Sequence, residues 1–489
     1  MSRPPIVASA LAAVLVGAAV VGSVTGTTAR KVPPVQAATA PITSATLVCP
    51  AVDGTGPTTT TAVGADLASA LTPPSTSTGS VRATVLAGGK SKTSALTLAP
   101  TGWIKSRPKV SQTVALGATG SVAASLVADQ VGLSTAGRFR GLTGAGCVAP
   151  ATDWWFAGAD GRVGYTDALV IADPASTPAE ISISLWGTKG PMSTPTVDAL
   201  RIRPRSAMRI TIASIAPDLP TVAVHVHASS GAVTAALLHR HSSGLHSDGA
   251  DYMPATAAPA RSALVAGFVS GKGPQELVLA DPGSLDATVN VRLVTGSGSF
   301  APAGIDQIIL RAGRTRAVSL DRALAGSTGA VELTSDQPIL AQGLSEAISP
   351  PDRPDLIWLA ATAALTGPAG IADGREPDGG RCLLLLSAPK AAATVRITTP
   401  SGQTRTISVP AGRSLSVDIT ATVQPPAGQP GQLTWPFVVT PLGSAPVYGV
   451  RVLQFTGAHG ALITGEPLVS LPTAIVLPAV RSDPRIATQ

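Results

Sequence analysis

The sequence predicts an all-β protein: tandem antiparallel β-sandwiches of the immunoglobulin or fibronectin type III kind, following an N-terminal transmembrane helix. Short apolar stretches alternate with polar residues at a period of two, which is typical of strands with one buried face. Helical periodicity over long stretches is absent. One motif recurs along the chain at an interval of 107 or 108 residues, which indicates tandem repeats.

The composition excludes several classes of protein. The chain has 489 residues, of which 44% are hydrophobic, enough for roughly three or four domains of ordinary size. Charged residues make up 13%, and the net charge of +7 is small for this length. These values exclude a coiled coil, a disulfide-dense mini-protein and an acidic disordered chain. We expect no nucleic-acid partner, because basic and aromatic residues are not interleaved.

An uncharged apolar run near the N-terminus predicts a membrane anchor. Residues 6–24 are 19 residues without a charge. A transmembrane helix needs about 17–25 apolar residues, whereas the core of a signal peptide has about 7–15. We therefore expect residues 1–25 to anchor the chain in the cell membrane by a single pass. A linker follows at 26–44, and the bulk of the chain lies outside the cell. Cleavage after the small-residue pattern at 38–40 is the alternative.

The motif that marks the repeats is LVIADP at 169–174. It recurs as LVLADP at 277–282 and as LLLSAP at 384–389, and LVCP at 47–50 is a divergent copy. Four tandem repeats follow from this spacing. They are predicted at 45–140, 141–250, 251–347 and 348–470, with a C-terminal tail at 471–489.

Turn residues divide the second repeat into about seven apolar stretches, the number expected of a sandwich of about 100 residues. We expect strands near 153–157, 167–173, 179–187, 196–203, 206–213, 220–227 and 232–240. Two alternating stretches around a turn end the last three repeats, which predicts hairpins at 222–238, 330–344 and 436–453. One larger β-structure, with the repeats as its subunits, is the alternative to independent sandwiches.

The three cysteines predict one disulfide. An exported chain can keep a disulfide bond. Cys49 and Cys147 lie at the two edges of the first repeat, so we expect them to pair. Cys382 opens the apolar stretch CLLLLSAP and is expected to be a small buried side chain. The spacing CxxC does not occur, which argues against a zinc ribbon or a redox motif.

Histidines are concentrated in one short region. Five of the six fall within 22 positions, at His225, His227, His239, His241 and His246. Two histidines at i and i+2 of a strand point to one face, and paired imidazoles suit zinc or copper. A hairpin at 222–238 would separate the two pairs by roughly 13 Å, too far for one four-coordinate site.

Two interpretations of the histidines stay open. His225 and His227 could chelate a metal together with a loop residue such as His246 or Asp248. The favoured alternative is two solvent-facing histidines and a mobile polar loop at 239–251, because no HExxH motif or spaced carboxylate supports a metal.

Motifs for catalysis are missing from the chain. A G-x-S-x-G elbow is absent, and the glycines at 271–274 lack the spacing of a phosphate-binding loop. Serines, His246 and Asp248 are neighbours in sequence at 242–248, but that is not the geometry of a catalytic triad. We therefore predict no catalytic residue, no cofactor and no enzymatic activity.

Three aromatic residues open the second repeat and are candidates for binding. Exposed indole rings such as those of Trp154 and Trp155 can stack on sugar rings or on protein partners, and Phe156 adjoins them. Packing in a core is the favoured alternative for each ring, since aromatic residues are only 3% of the chain.

The whole chain resembles an uncharacterised family of exported, membrane-anchored actinobacterial proteins of unknown function. The residues that carry the resemblance are the N-terminal anchor, Cys49 with Pro50, Cys147 followed by Asp153-Trp-Trp-Phe156, and the LVIADP motif at 169–174. The resemblance covers most of 45–480. It implies no activity, cofactor or catalytic residue.

These observations predict a non-enzymatic scaffold or binding protein of the cell envelope. The repeats would form a rod that binds an envelope protein or glycan outside the membrane. Two alternatives are an enzyme that acts on envelope glycans through the histidines at 239–248, and a metal-binding module that uses the region from His225 to His246.

Overall fold

The structure is a computed structural model. It describes residues 38–51, 58–71, 75–76, 78–96, 103–106, 112–193, 197–350, 353–374, 380–419, 436–455, 460–472 and 474–477. The predicted membrane segment at 6–24 lies outside these residues. Within the described ranges, no helix combines the length and the apolar character needed to cross a membrane.

The described part of the chain is all-β with antiparallel sheets, which confirms the predicted class. The chain divides into two compact units, one formed by 41–473 and one by the terminal segments 1–40 and 474–489. In the terminal unit, β1 (Ala38–Ala40) pairs with β35 (Ile475–Leu477). The elements below belong to 41–473.

The first two repeats supply seventeen strands. In the first, these are β2 (Ser44–Cys49), β3 (Thr58–Asp66), β4 (Gly79–Val85), β5 (Lys92–Leu96), β6 (Trp103–Ser106), β7 (Val114–Gly120), β8 (Leu126–Ser134) and β9 (Gly141–Gly146). In the second, they are β10 (Asp153–Ala159), β11 (Ala168–Asp173), β12 (Ala179–Gly187), β13 (Gly190–Met192), β14 (Leu200–Ile202), β15 (Ser206–Thr211), β16 (Val222–Ser230), β17 (Thr234–Ser243) and β18 (His246–Met253).

The last two repeats continue the pattern. The third contains β19 (Ala260–Phe268), β20 (Gln275–Ala280), β21 (Ala287–Thr295), β22 (Ser299–Phe300), β23 (Gln307–Leu310), β24 (Thr315–Ser319), β25 (Gly329–Ser349) and β26 (Arg353–Ala360). The fourth contains β27 (Ala369–Ile371), β28 (Gly380–Ala388), β29 (Ala393–Thr398), β30 (Thr404–Val409), β31 (Arg413–Asp418), β32 (Phe437–Leu442), β33 (Tyr448–Phe455) and β34 (Leu462–Pro467). Helices are single turns: α1 (Ile212–Ile215), α2 (Asp321–Leu324) and 3-10 turns at Ala68–Ala70, Gly88–Lys90 and Ser121–Ala124.

One strand order occurs in all four repeats. The first repeat forms the sheets β2–β7–β4–β5 and β6–β3–β8–β9, and the fourth forms β27–β32–β29–β30 and β31–β28–β33–β34 in the same order. The second forms β10–β16–β12–β13 and β15–β11–β17–β18. In the third, β25 is long enough to belong to both sheets. The recurring motif therefore marks a recurring topology.

The aspartate that precedes the proline of the motif stabilises the turn after the second strand of a repeat. Asp173 is fully buried, and its carboxylate accepts hydrogen bonds from the backbone N–H groups of Ala175 and Ala179. Asp281 occupies the same place in the third repeat and accepts one from Gly283. Hydrogen bonds from the backbone of the turn stabilise both buried carboxylates.

The predicted hairpins are wrong. The arms β16 and β17 do not pair with each other: β16 pairs with β10 and β12, and β17 pairs with β11 and β18. The same separation holds for β32 and β33 and for the two halves of β25. Alternation around a turn is the same for a hairpin and for an arch that crosses between sheets. Only the direction of the backbone hydrogen bonds distinguishes them.

The first three repeats end later than the sequence predicts. The strands β9, β18 and β26 pair with the strand that precedes them, so they complete the first, second and third repeats. The predicted boundaries at 140, 250 and 347 fall before or inside these strands. The polar loop predicted at 239–251 is likewise wrong, because this segment contains the end of β17 and the start of β18. Residues of β18 are buried on both faces, which removes the alternation that identifies a strand.

The final strands of the four repeats pack around a common centre. Strand β9 contacts β18 and β34, and β26 contacts the same two strands. The four strands therefore form a closed ring of contacts. The predicted rod, in which the first and fourth repeats would lie far apart, is wrong. Gly144 permits the approach of β9 to β34, because a Cβ there would lie 2.4 Å from Thr464 Oγ1.

The apolar cores run from one repeat into the next. Val278 and Trp358 of the third repeat belong to the core of the second, and Trp358 packs on Gly158, where a Cβ would lie 2.5 Å from the ring. Ile463 of the fourth repeat joins the core of the third, and Leu142 of the first joins the core of the fourth. At about 25 cal/mol for each Å² of buried apolar surface, such shared cores make separation of the repeats costly.

A disulfide bond joins Cys49, at the end of β2, to Cys147, directly after β9. The third cysteine, Cys382, is fully buried, and burial raises the pKa of its thiol to about 12. A thiol with so high a pKa is unreactive at neutral pH.

We predict that the paired variant Cys49→Ser/Cys147→Ser lowers the free energy of unfolding by up to about 4–5 kcal/mol, because the bond closes a long loop in the unfolded chain. Denaturant unfolding of the full-length protein, with and without reductant, measures the loss. The control Cys382→Ala should keep the sensitivity to reductant. Equal unfolding midpoints of the native protein with and without reductant would contradict the prediction.

Candidate functional site

The outer face of the β10–β16–β12 sheet brings a carboxylate and two histidines together. Asp153 of β10 lies directly opposite His227 of β16, and His225 is two residues earlier on that strand. Side chains two residues apart on a strand share a face, so the three groups meet. Asp153 Oδ1 lies 2.9 Å from His225 Nε2 and 2.8 Å from His227 Nδ1. Asp153 and His227 are exposed by nearly half, so small solutes can reach the cluster.

Neighbouring side chains hold this cluster in place. The Trp155 indole stacks on the His225 imidazole, with ring centroids 3.6 Å apart and planes 3° from parallel. Trp186 of β12 stacks on Trp155 at 5.7 Å. The Thr152 hydroxyl donates a 2.8 Å hydrogen bond to Asp153 Oδ2. One carboxylate oxygen is therefore held by Thr152 while the other faces the two imidazoles.

The local electrostatics keep the carboxylate charged. Hydrogen bonds from His227 and Thr152 lower the pKa of Asp153 to about 2. Burial lowers the pKa of His225, although its contact with Asp153 acts in the opposite direction. At neutral pH the face therefore carries an anionic Asp153 beside a neutral His225, whose Nε2–H donates to the carboxylate.

Sequence reasoning identified the histidines at 225 and 227 but missed their carboxylate partner. Asp153 lies 72 positions before His225 and belongs to another strand. The alternation of β10 indicates which face Asp153 occupies, but only the register of β10 against β16 places it opposite His227. The proposed loop partner His246 lies at the exposed start of β18, in the other sheet.

The aromatic residues proposed for binding pack against the protein. Phe156 is fully buried in the core, so it offers no face to a ligand. Trp154 points to the same side, and its indole N–H donates a 2.8 Å hydrogen bond to the carbonyl of Val233. Trp155 points outward, but the imidazole of His225 covers one of its faces. Alternation along β10 separates these neighbours onto the two faces of the sheet.

The second pair of histidines lies in the other sheet of the repeat and serves the fold. His239 is buried, and its Nδ1 lies 3.0 Å from Asp167 Oδ2. Asp167 Oδ2 also accepts a hydrogen bond from the backbone N–H of Asp160. The imidazole of His241 stacks on Tyr165 with centroids 4.2 Å apart. These contacts fasten the connection between β10 and β11.

The polar residues at 242–248 do not form a catalytic triad. Ser243 donates its hydroxyl hydrogen bond to the carboxylate of Asp248. His241 Nδ1 lies 3.4 Å from the same carboxylate oxygen, so Asp248 stands between the serine and the imidazole. A triad needs the reverse order, with the imidazole next to the hydroxyl that it deprotonates.

Two buried aspartates cross-link the four central strands. Asp251 of β18 accepts hydrogen bonds from the backbone N–H groups of Gly144 and Trp358 and from the hydroxyl of Thr464. These three partners lie on β9, β26 and β34, so a single carboxylate contacts every other strand of the centre.

The second aspartate acts in the same way. Asp355 of β26 accepts hydrogen bonds from the backbone N–H groups of Leu142, Ala250 and Ile463, at 2.9 to 3.0 Å. Its partners lie on β9, β18 and β34. Burial raises the pKa of Asp355 to about 7, against the hydrogen bonds that lower it.

A cavity of about 500 Å³ opens beside this centre, between the first, second and fourth repeats. Its walls are mostly apolar and include Cys147, Trp154 and Met253. Asp129 and Glu466 are the acidic groups in the wall, and burial raises the pKa of both. The other repeat interfaces are filled by shared cores, whereas this interface is lined by many alanines and glycines.

We predict that Asp355 makes stability fall as the pH rises. Its folded-state pKa of about 7 lies above the unfolded value of 3.8, so the folded protein holds a proton that the unfolded chain releases. The stabilisation is present below about pH 4 and is lost as pH rises to about 7, on the order of 4 kcal/mol. In denaturant unfolding at pH 4 to 8, the free energy of unfolding should therefore decline less steeply with pH for Asp355→Asn than for the native protein.

The readout is the slope of the free energy of unfolding against pH. The absolute stability is not the readout, because the amide group of Asp355→Asn faces N–H donors and lowers stability at every pH. Exposed Asp218→Asn is the matched control and should keep the native slope. Parallel curves for the native protein and Asp355→Asn would contradict the prediction.

Comparison with known proteins identifies a family but not an activity. The search of curated proteins finds no match. A crystal structure of a tetra-tandem repeat in the extending region of a large adhesion protein aligns with 83% of this chain and 93% of its own, at 11% identity. Its TM-score of 0.10 is too low to indicate a common fold. The model of a family of unknown function matches residues 104–420, and the chain therefore belongs to that family, DUF5719.

Proposed function

We propose that the protein is a non-enzymatic scaffold or binding protein of the cell envelope. Residues 6–24 would hold it in the membrane by a single pass, with the bulk of the chain outside the cell. We also propose that its paired sheets are tandem β-sandwiches of immunoglobulin or fibronectin type III character. Support for the sandwiches comes from the strand order that recurs in all four repeats, with two sheets around one core.

The closed packing of β9, β18, β26 and β34 is the observation that carries the scaffold proposal. Two buried aspartates and shared cores join the repeats, so the outer faces of the sheets keep fixed positions. A rigid body that presents several faces suits the assembly of partners, because little conformational entropy is lost on binding. The disulfide between Cys49 and Cys147 is consistent with a chain outside the cell.

We predict that chemical crosslinking in native membranes joins the full-length protein to a defined envelope protein or glycan. The double variant Asp251→Asn/Asp355→Asn, which weakens the centre, should lose the crosslink at equal abundance. The exposed variant Asp218→Asn is the control and should keep it. Reproducible turnover of a cell-wall glycan by the purified protein, or crosslinks that survive loss of the centre, would contradict the proposal.

The cavity supports a second candidate, the binding of an apolar molecule. Its volume of about 500 Å³ lies within the usual range for ligand pockets, roughly 300–1,000 Å³. The wall favours an uncharged ligand, because its acidic groups Asp129 and Glu466 are already paired with the guanidinium of Arg451 and burial raises the pKa of both.

We predict that the full-length protein binds the apolar fluorescent amine N-phenyl-1-naphthylamine, and that Ala236→Phe reduces its affinity at least about tenfold by filling the cavity. Ala236 lies in the cavity wall. Ala207→Phe, at an exposed position of β15, is the matched control and should bind like the native protein. Equal binding by the two variants would refute the cavity as the site.

A further inference from the structure

We propose that Asp153, His225 and His227 form a binding site for a divalent transition ion, Zn²⁺ or Cu²⁺. The ligand atoms are Asp153 Oδ1, His225 Nε2 and His227 Nδ1, and all three lie within 4.8 Å of one another. Within the described residues, no second group of three metal-binding side chains comes as close together. The proposal stands on this geometry and does not depend on the scaffold function.

The two distances from Asp153 Oδ1 to the imidazole nitrogens suit a metal after a small adjustment. A tetrahedral zinc ion with ligand bonds of about 2.0–2.1 Å holds its ligand atoms roughly 3.3 Å apart. The two nitrogens now lie 2.8 and 2.9 Å from Asp153 Oδ1, so each contact lengthens by only a few tenths of an ångström. Each imidazole offers its lone pair at the inward nitrogen when its proton sits on the other one.

Contacts outside the ligand set orient it in advance. The indole of Trp155 fixes the plane of the His225 ring, and the Thr152 hydroxyl holds Asp153 Oδ2 so that Oδ1 faces the imidazoles. The pairing of β10 with β16 sets the spacing between Asp153 and His227. Contacts of this kind typically change metal affinity by roughly 10–100-fold.

The ligand types select the class of ion. Imidazole nitrogens suit zinc and copper, whereas Ca²⁺ and Mg²⁺ require mainly oxygen ligands. Three protein ligands leave a coordination position for water or for a side chain of a partner. The exposure of His227 and Asp153, at 47% and 45%, keeps that position open to solvent.

The remaining histidines of the region provide internal controls. His239 is buried, and its Nδ1 already contacts the Asp167 carboxylate. His246 is exposed and lies on a different sheet from the site. A substitution at His246 should therefore leave the affinity of the cluster at Asp153 for a metal unchanged.

The test measures metal bound to the full-length protein after dialysis against Zn²⁺ or Cu²⁺ in separate arms, with Mg²⁺ and Ca²⁺ as hard-cation arms. We expect one Zn²⁺ or Cu²⁺ per native chain. Asp153→Asn and His227→Ala should each weaken binding by at least about 10-fold. His246→Ala should bind like the native protein, and circular dichroism should show that all three variants are folded.

Copper adds a readout that a purely structural role would not move. Cu²⁺ held by His225 should quench the stacked indole of Trp155. Trp155→Phe keeps an aromatic ring that can stack on His225, so it should reduce the quenching while the bound copper is retained. Absence of bound Zn²⁺ and Cu²⁺ in the native protein would overturn the proposal. Equal binding by His227→Ala and the native protein would overturn it as well.

Discussion

The arrangement of the four repeats depends on two carboxylates buried where their final strands meet. Strands β9, β18, β26 and β34 approach one another without forming a common hydrogen-bonded sheet. Backbone N–H groups that face this centre would remain unsatisfied, at a cost of about 1–3 kcal/mol each. Asp251 and Asp355 accept hydrogen bonds from those groups on all neighbouring strands, so the same contacts satisfy both the carboxylates and the backbone.

This centre explains why the four repeats belong to one compact unit. A carboxylate that contacts three strands fixes their relative register, and the shared cores around Trp358 and Ile463 then close the interfaces. The interface between the first and second repeats differs, because small side chains leave a cavity of about 500 Å³ there. The disulfide at Cys147 and the packed indole of Trp154 border that cavity.

The arch between β16 and β17 determines which of the histidines are exposed and which are buried. Because the two strands enter different sheets, His225 and His227 reach a partly exposed outer face while His239 is buried against Asp167. A hairpin would have placed all four in one sheet. The outward pair gains Asp153 and Trp155 from β10, which makes it a compact polar cluster. The inward pair supports the connection from Asp160 to Asp167 instead.

The sequence alone determined the all-β class and most strands of the second repeat, because these follow from local alternation. The recurrence of LVIADP indicated tandem repeats. The sequence also identified Cys49, Cys147 and the histidines as the residues to examine. Three features depend on hydrogen bonds between distant strands: the arches, the central strands and Asp153 as the partner of His227. Strands buried on both faces lose the alternation that a sequence displays, and register between strands 72 residues apart leaves no local pattern. Only the tertiary structure could decide them, because each is set by which strands pair and not by the residues beside them.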